Sequence, residues 1–192
     1  MNDVSIIAPV RRRDAAATRA AILEAAKAQF ARLGYETATL REIAAEAGAD
    51  VALIKRYFGG KEALFTEALK ASFKPERMTL LNRETYAREV ATSMAGGAHE
   101  DEQRTYAFQF LLRAATSPNT APLLNVAVQE RFLGPIREWL GGEDAQARAR
   151  VLASILIGCL VERLVRDEPL KGREREVFIA RVAAAVQAQI GA

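Results

Sequence analysis

Apolar residues recur along this chain at helical intervals almost from end to end. Ile22, Ala26, Phe30 and Leu33 lie at offsets of 4, 8 and 11, which predicts a helix over 14–33 with Gly34 as its stop. Leu40, Ile43, Ala44 and Ala47 form the apolar face of a second helix, and Val51, Ile54 and Phe58 give a short third helix its buried side. Leu64, Phe65, Ala68 and Leu69 face inward on a helix over 61–74, which Pro75 stops. Tyr86, Val90 and Met94 fall four apart on a helix over 83–94, ended by Gly96–Gly97. Tyr106, Phe110 and Arg113 share one side of 101–116. The next helix opens at Ser117–Pro118 or at Thr120–Ala121–Pro122, is interrupted or kinked at Gly134–Pro135 before Trp139, and closes at Gly141–Gly142. A helix over 144–166 is apolar from Val151 to Val161 at every position except Ser154, so it needs cover on more than one side. After a loop at Pro169 and Gly172, a helix over 173–190 carries Val182, Val186 and Gln189 on one stripe with Phe178 alongside. No stretch reads as a strand, and the pattern predicts an all-α fold.

The segment 39–58 is the most informative. Thr39 and Glu42 have the T-x-x-E spacing of a capping box, in which each side chain bonds the other residue's backbone N–H. Gly48 suits the turn after the first helix and Asp50 can cap the second. Ala44 and Ala47 are small enough to let the two helix axes approach closely. The outward positions of the second helix are Ala52, Leu53, Lys55, Arg56 and Tyr57. Two cations and a phenol on a short exposed helix suit a DNA groove, as in a helix-turn-helix. A plain helical hairpin with a solvated basic face fits the same residues.

Charge sharpens this reading. The chain has 27 Lys and Arg against 24 Asp and Glu, a net +3. Residues 1–61 hold ten cations and seven anions, so the whole excess lies there, while 62–192 hold seventeen of each. Such an excess is modest and does not establish nucleic-acid binding alone. Arg11, Arg12 and Arg13 precede the first helix, either as a solvated tail or as an arm reaching phosphates or the minor groove. A lone cysteine, Cys159, excludes an internal disulfide. One histidine, His99, reads as an exposed loop residue, and with one His and one Cys a metal centre or a His-based catalytic dyad finds little support. No apolar run approaches the roughly 20 residues of a membrane span. A cytoplasmic protein without a cofactor, and not an enzyme, is the expectation.

Ile22–Leu23–Glu24–Ala25–Ala26, Phe30, Gly34–Tyr35, Thr39, Ile43–Ala44, Ala47–Gly48, Tyr57–Phe58 and Lys61–Glu62–Ala63–Leu64 fall at the spacings of the TetR-type (TetR/AcrR-like) transcriptional regulators. Over about residues 15–65 the chain resembles that family without a gap. The resemblance implies an N-terminal three-helix helix-turn-helix domain and a C-terminal helical ligand-binding and dimerisation domain. The expected division is a basic arm over 1–13, a DNA-binding domain over 14–60 and the larger domain over 61–192. It implies a homodimeric repressor on a palindromic DNA operator, released by a small apolar or amphipathic ligand. The alternative is a helical adaptor that keeps the fold without specific DNA binding.

By position, the resemblance assigns DNA contact to Thr39, Arg41, Val51, Ala52, Leu53, Lys55, Arg56, Tyr57 and Lys61, with Tyr57 and Lys61 at phosphates. Asp50 stands where Ser or Thr is frequent, Ala49 where Val is common and Lys55 where Tyr is frequent. The last departure bears on the contact pattern and so on the operator. Candidate pocket residues are Phe65, Tyr86, Met94, Tyr106, Phe110, Val128 and Trp139, although such side chains at helical spacing also serve as plain core. The two C-terminal helices would pair with their copies through Ala153, Leu156, Leu160, Phe178, Val182 and Val186.

Overall fold

The computed structural model describes residues 10–73, 82–98, 102–166 and 168–191, all of its regular structure helical. The arm over 1–9, the stop at Pro75 and the loop residue His99 lie outside the described residues. The chain divides into two compact units, residues 1–69 and 70–192.

The first unit contains α1 (Val10–Thr37), α2 (Leu40–Glu46), α3 (Val51–Phe58) and the start of α4 (Lys61–Ser72). α1 begins at Val10, within the expected arm, so Arg11 to Arg13 continue the helix. Its regular course breaks at Gly34, with φ 79° and ψ 171°, a conformation open to glycine and strained for residues with a Cβ. α1 packs on α2 and α3. Ile22, Ala26, Phe30, Ile43, Ile54, Leu64, Phe65, Ala68 and Leu69 are buried together in this unit. Leu33, expected inside, is 38% exposed. In the final turn of α1 the core is closed instead by Tyr35, whose ring meets Phe65 at 4.8 Å, while Phe30 meets Phe65 edge-on at 4.9 Å. Edge-to-face pairs of this kind add to simple area burial.

The second unit contains α5 (Arg83–Met94), α6 (Glu102–Thr116), α7 (Ala121–Val128), a π turn (Gln129–Leu133), α8 (Gly134–Leu140), α9 (Ala145–Arg166) and α10 (Gly172–Ile190). Asn82 caps α5 by accepting the Glu84 N–H at 2.9 Å. α5 packs along α10, and α9 lies against α8 and α10. Tyr86, Leu133, Ile136, Leu140, Leu152, Leu156, Val186 and Ile190 form the main core, with Trp139 and Val128 packed on it. The interruption expected at Gly134–Pro135 is the π turn. Proline has no N–H and its ring crowds the carbonyl four residues back. The turn ahead of it widens, so that the Gly134 N–H donates to the Gln129 carbonyl five residues back. A Cβ at Gly134 would stand 2.9 Å from that oxygen.

Three arginines hold this unit through main-chain acceptors. Arg148, buried, donates to the carbonyls of Gly141, Glu143 and Gln189. Arg163, 4% exposed, donates from Nε and Nη2 to the Gly97 carbonyl, at 2.9 Å from Nε. Arg166 reaches the carbonyls of Met94, Gly96 and Glu168 and pairs with Glu162. The segment after α5 is thus tied to the end of α9 without a strand or a disulfide.

Candidate nucleic-acid interface

The geometry is set by the two helix starts. Thr39 has an extended backbone, and its Oγ1 accepts the Glu42 N–H at 3.2 Å. Glu42 Oε2 accepts both the Thr39 N–H, at 3.1 Å, and the Thr39 hydroxyl, at 2.7 Å. The hydroxyl first, and the backbone N–H second, hold the Glu42 carboxyl below its ordinary pKa. At the far end of α2, Gly48 adopts φ 61° and turns the chain toward α3. Asp50 then accepts the Ala52 N–H at 2.7 Å, and α3 closes on Gly59 at φ 89°. A helix of eight residues is too short to hold itself in water. Its two caps and two buried anchors, Ile54 and Phe58, keep α3 in place.

With Ile54 and Phe58 inward, the opposite side of α3 is fixed. Val51, Ala52, Lys55 and Arg56 are exposed, while Leu53 and Tyr57 are half-buried. Val51 was expected on the buried side, but at 41% exposure it belongs to the outer surface. It opens the helix, one turn ahead of the first anchor. Thr39 and Arg41 are exposed at the start of α2. Lys61 is half-buried at the start of α4, where its Nζ donates to the Glu36 carbonyl at 3.2 Å and lies 4.7 Å from the Tyr35 ring centre. Burial chiefly, then the charges of Glu62 and Glu36, raise the pKa of the Tyr35 phenol.

Five further residues position the surface without belonging to it. Arg19 lies 4.6 Å over the Phe58 ring and pairs with Glu67 at 3.2 Å, which covers the inner end of α3. Glu46, the last residue of α2, takes a hydrogen bond from Gln29 at 2.6 Å and pairs with Arg32 at 3.1 Å. A carboxylate at a helix C-terminus opposes the helix dipole, so these donors offset an unfavourable placement while tying α2 to α1. None of the five stood out in the sequence. The available signal was Gln29, a polar side chain beside Phe30 and Ala26 on the inner face; it is 7% exposed, and among the described residues its Oε1 has no hydrogen-bond partner.

Residues 22–68 match the profile described as bacterial regulatory proteins, tetR family, and residues 84–190, more than half of the chain, match that of the tetracyclin repressor-like C-terminal domain. The chain belongs to the TetR family. It is accordingly a DNA-binding transcriptional regulator and not an enzyme. The HTH-type transcriptional repressor SCO4008 of Streptomyces coelicolor is 50% identical over 58 residues, a match spanning 30% of each chain. The HTH-type transcriptional regulator BetI of Agrobacterium fabrum is 24% identical over 163 residues, 79% of each. The crystal structure of NalD, the secondary repressor of the MexAB-OprM multidrug efflux pump in Pseudomonas aeruginosa, superposes with a TM-score of 0.63. That match covers 90% of this chain and 96% of NalD at 20% identity, and it shows the shared fold.

The other site residues expected of a TetR-family protein are more scattered. Phe65 belongs to the aromatic core of the first unit with Phe30 and Tyr35. Tyr106 is 63% exposed. Tyr86 and Trp139 meet edge-on at 5.1 Å within the main core of the second unit, where Val128 also packs. Met94 and Phe110 are buried. A recess in the second unit is lined by other residues: Ala98, Thr105, Phe108, Leu160, Arg163 and Leu164. Of the expected dimer contacts, Ala153, Leu156 and Val186 are buried in the chain's own core. Leu160, Phe178 and Val182 are half-buried. The apolar surface left open on α9 is instead Val151, Ile157 and Val165, with Val177 on α10. Among the described residues, no helix is long and apolar enough to cross a membrane, and no cluster of His, Cys, Asp and Glu could hold a metal ion.

Proposed function

We propose that this TetR-family regulator is a homodimeric repressor that inserts α3 of each copy into the major groove of a palindromic operator and is released by a small apolar or amphipathic ligand. The observation that carries the reading is α3 itself: capped at both ends, anchored by Ile54 and Phe58, and presenting Val51, Ala52, Lys55 and Arg56 outward. Arg56 and Lys55 are the side chains able to reach base edges, and a bidentate contact to guanine discriminates by ~1–3 kcal/mol. Thr39, Arg41, Tyr57 and Lys61 would fix register on phosphates, which carry no sequence choice. For Lys61 this means leaving the Glu36 carbonyl or sharing it with a phosphate oxygen.

Dimerisation is supported by the open surface of the last two long helices. Val151, Ser154, Ile157, Gly158 and Val165 are exposed on α9, and Val177, Ala180, Ala184 and Ala188 on α10. Spacings of three, four and seven residues make one stripe on each helix, and the small residues let a partner helix come close. Two-fold pairing would set the two α3 helices for successive major-groove faces, roughly 34–36 Å apart. Release would be a shift of population, limited by the ligand's preference for the non-binding state.

The test is binding of the purified protein to DNA upstream of its own gene and to random DNA across a salt series. The expected result is selective binding that weakens with salt. Arg56→Ala and Lys55→Ala should reduce operator affinity by up to ~100-fold, the upper end of the base-contact range. They should affect random DNA little. Lys61→Ala should weaken both alike and lower the salt slope by about 1. Equal losses on both DNAs for all three variants would reject the division of roles.

A further inference from the structure

We infer that the last turn of α1, from Gly34 to Glu36, is a seat that holds the Lys61 ammonium ready for a DNA phosphate, with Tyr35 as the positioning residue. The inference rests on the reading of Lys61 as a phosphate contact and names the groups that prepare it.

Two electron-rich groups meet one nitrogen. Lys61 Nζ lies over the Tyr35 ring, 4.7 Å from its centre, and the face of an aromatic ring is negative. The same Nζ donates to the Glu36 carbonyl at 3.2 Å. That carbonyl belongs to the final turn of α1, where main-chain oxygens lack helical donors and the helix dipole ends negative. Both groups favour a cation, and both sit at the end of a helix other than the lysine's own.

The seat is fixed from behind. Gly34, at φ 79° and ψ 171°, takes the chain out of its helical course just before Tyr35. The Tyr35 ring then packs against Phe65 at 4.8 Å and Phe30 at 6.2 Å, so the face it offers Lys61 is held in place. Lysine is a point charge on a flexible four-carbon stem. A stem already held loses less freedom when DNA arrives, which is how preorganisation raises affinity. An ammonium has three N–H donors. Among the described residues one goes to Glu36, which leaves two for phosphate oxygens, so Lys61 can grip DNA without leaving its seat. The Tyr35 hydroxyl has no part in this, because the ring face makes the contact.

The experiment uses the full chain with Tyr35→Phe, and then with increasingly fluorinated phenylalanines at position 35. Fluorination keeps the shape of the ring and drains the negative charge from its face. Each protein is made with Lys61 and with Lys61→Ala, checked by circular dichroism, and titrated with the upstream fragment and with random DNA. Tyr35→Phe should bind like wild type. With Lys61 present, affinity for both DNAs should then fall stepwise, by about two- to fivefold at full fluorination, the worth of a cation–ring contact at an exposed site. With Lys61→Ala the series should be flat. A purely structural ring would weaken both series alike, and that result would overturn the inference. A flat series with Lys61 present would also overturn it, and if Lys61→Ala still weakens binding, the phosphate reading survives alone. Lys61→Ala protein that binds both DNAs like wild type would reject the phosphate reading and the seat together, leaving Lys61 as a cap on α1.

Discussion

Thr39 shows how much one side chain can settle. Its hydroxyl accepts from the Glu42 N–H and donates to the Glu42 carboxylate, so one residue both starts α2 and lowers a neighbour's pKa. Thr39→Ala should cost about 1 kcal/mol through the lost cap, measured by urea denaturation. Because the folded Glu42 carboxyl has the lower pKa, its contribution is whole above the ordinary carboxylate range and is lost as pH falls through that range to the folded value. The variant should therefore lose less stability than wild type on acidification, and parallel acid limbs would contradict this. The capping box, the Asp50 cap and the glycine turn were legible because each is a short-range pattern of residue types. The tie between Gln29, Arg32 and Glu46 was not, because its members lie 14 and 17 residues apart in sequence.

At the scale of elements, helix limits were read well and helix faces less well. The expected 83–94 helix is α5 to the residue, since Asn82 and the glycines after Met94 mark both ends. From Val151 to Val161 α9 is apolar on every side except at Ser154, so periodicity gave that stretch no phase. Two of the residues expected at an interface, Ala153 and Leu156, consequently lie in the chain's own core. Phe65 and Tyr106 misled for a similar reason, because an aromatic at helical spacing does not disclose what it packs on. The break in the α7–α8 region was foreseen at Gly134–Pro135, but its form as a π turn depends on backbone bonding that residue types do not specify. Gly134→Ala tests that form. Alanine gains about 1 kcal/mol of helix propensity over glycine. Its Cβ must also displace an oxygen 2.9 Å away, an overpacking that typically costs about 1–3 kcal/mol. The clash should win, with a net loss of about 1 kcal/mol in chemical denaturation. A stabilised variant would show that the turn relaxes to an ordinary α-helix.

For the whole molecule, the decisive quantity is the number of copies that act together. Ile157 is 47% exposed on the open α9 stripe, and in a two-fold interface any substitution there is made twice. Ile157→Glu would bury two unpaired carboxylates, each costing about 2 kcal/mol or more. The proposed dimer should weaken by nearly a thousandfold, at ~1.4 kcal/mol per decade, seen by light scattering at micromolar protein. Helical circular dichroism should be unchanged, because the side chain already faces outward. A wild-type monomer under the same conditions would remove the two-fold arrangement and the operator geometry built on it. Charge had little to say at this scale, since the excess of +3 is confined to 1–61 and the remainder is neutral.

The carbonyl-gripping arginines of the second unit have a consequence for how this sequence can drift over generations. Arg148, Arg163 and Arg166 bond the backbone carbonyls of Gly141, Glu143, Gln189, Gly97, Met94, Gly96 and Glu168. Every amino acid supplies that oxygen, whatever its side chain. Acceptor positions without a special backbone angle can therefore change identity while the contact survives, and selection on these links falls on three codons. Lineages carrying this architecture can rewrite the gripped residues and keep the grip.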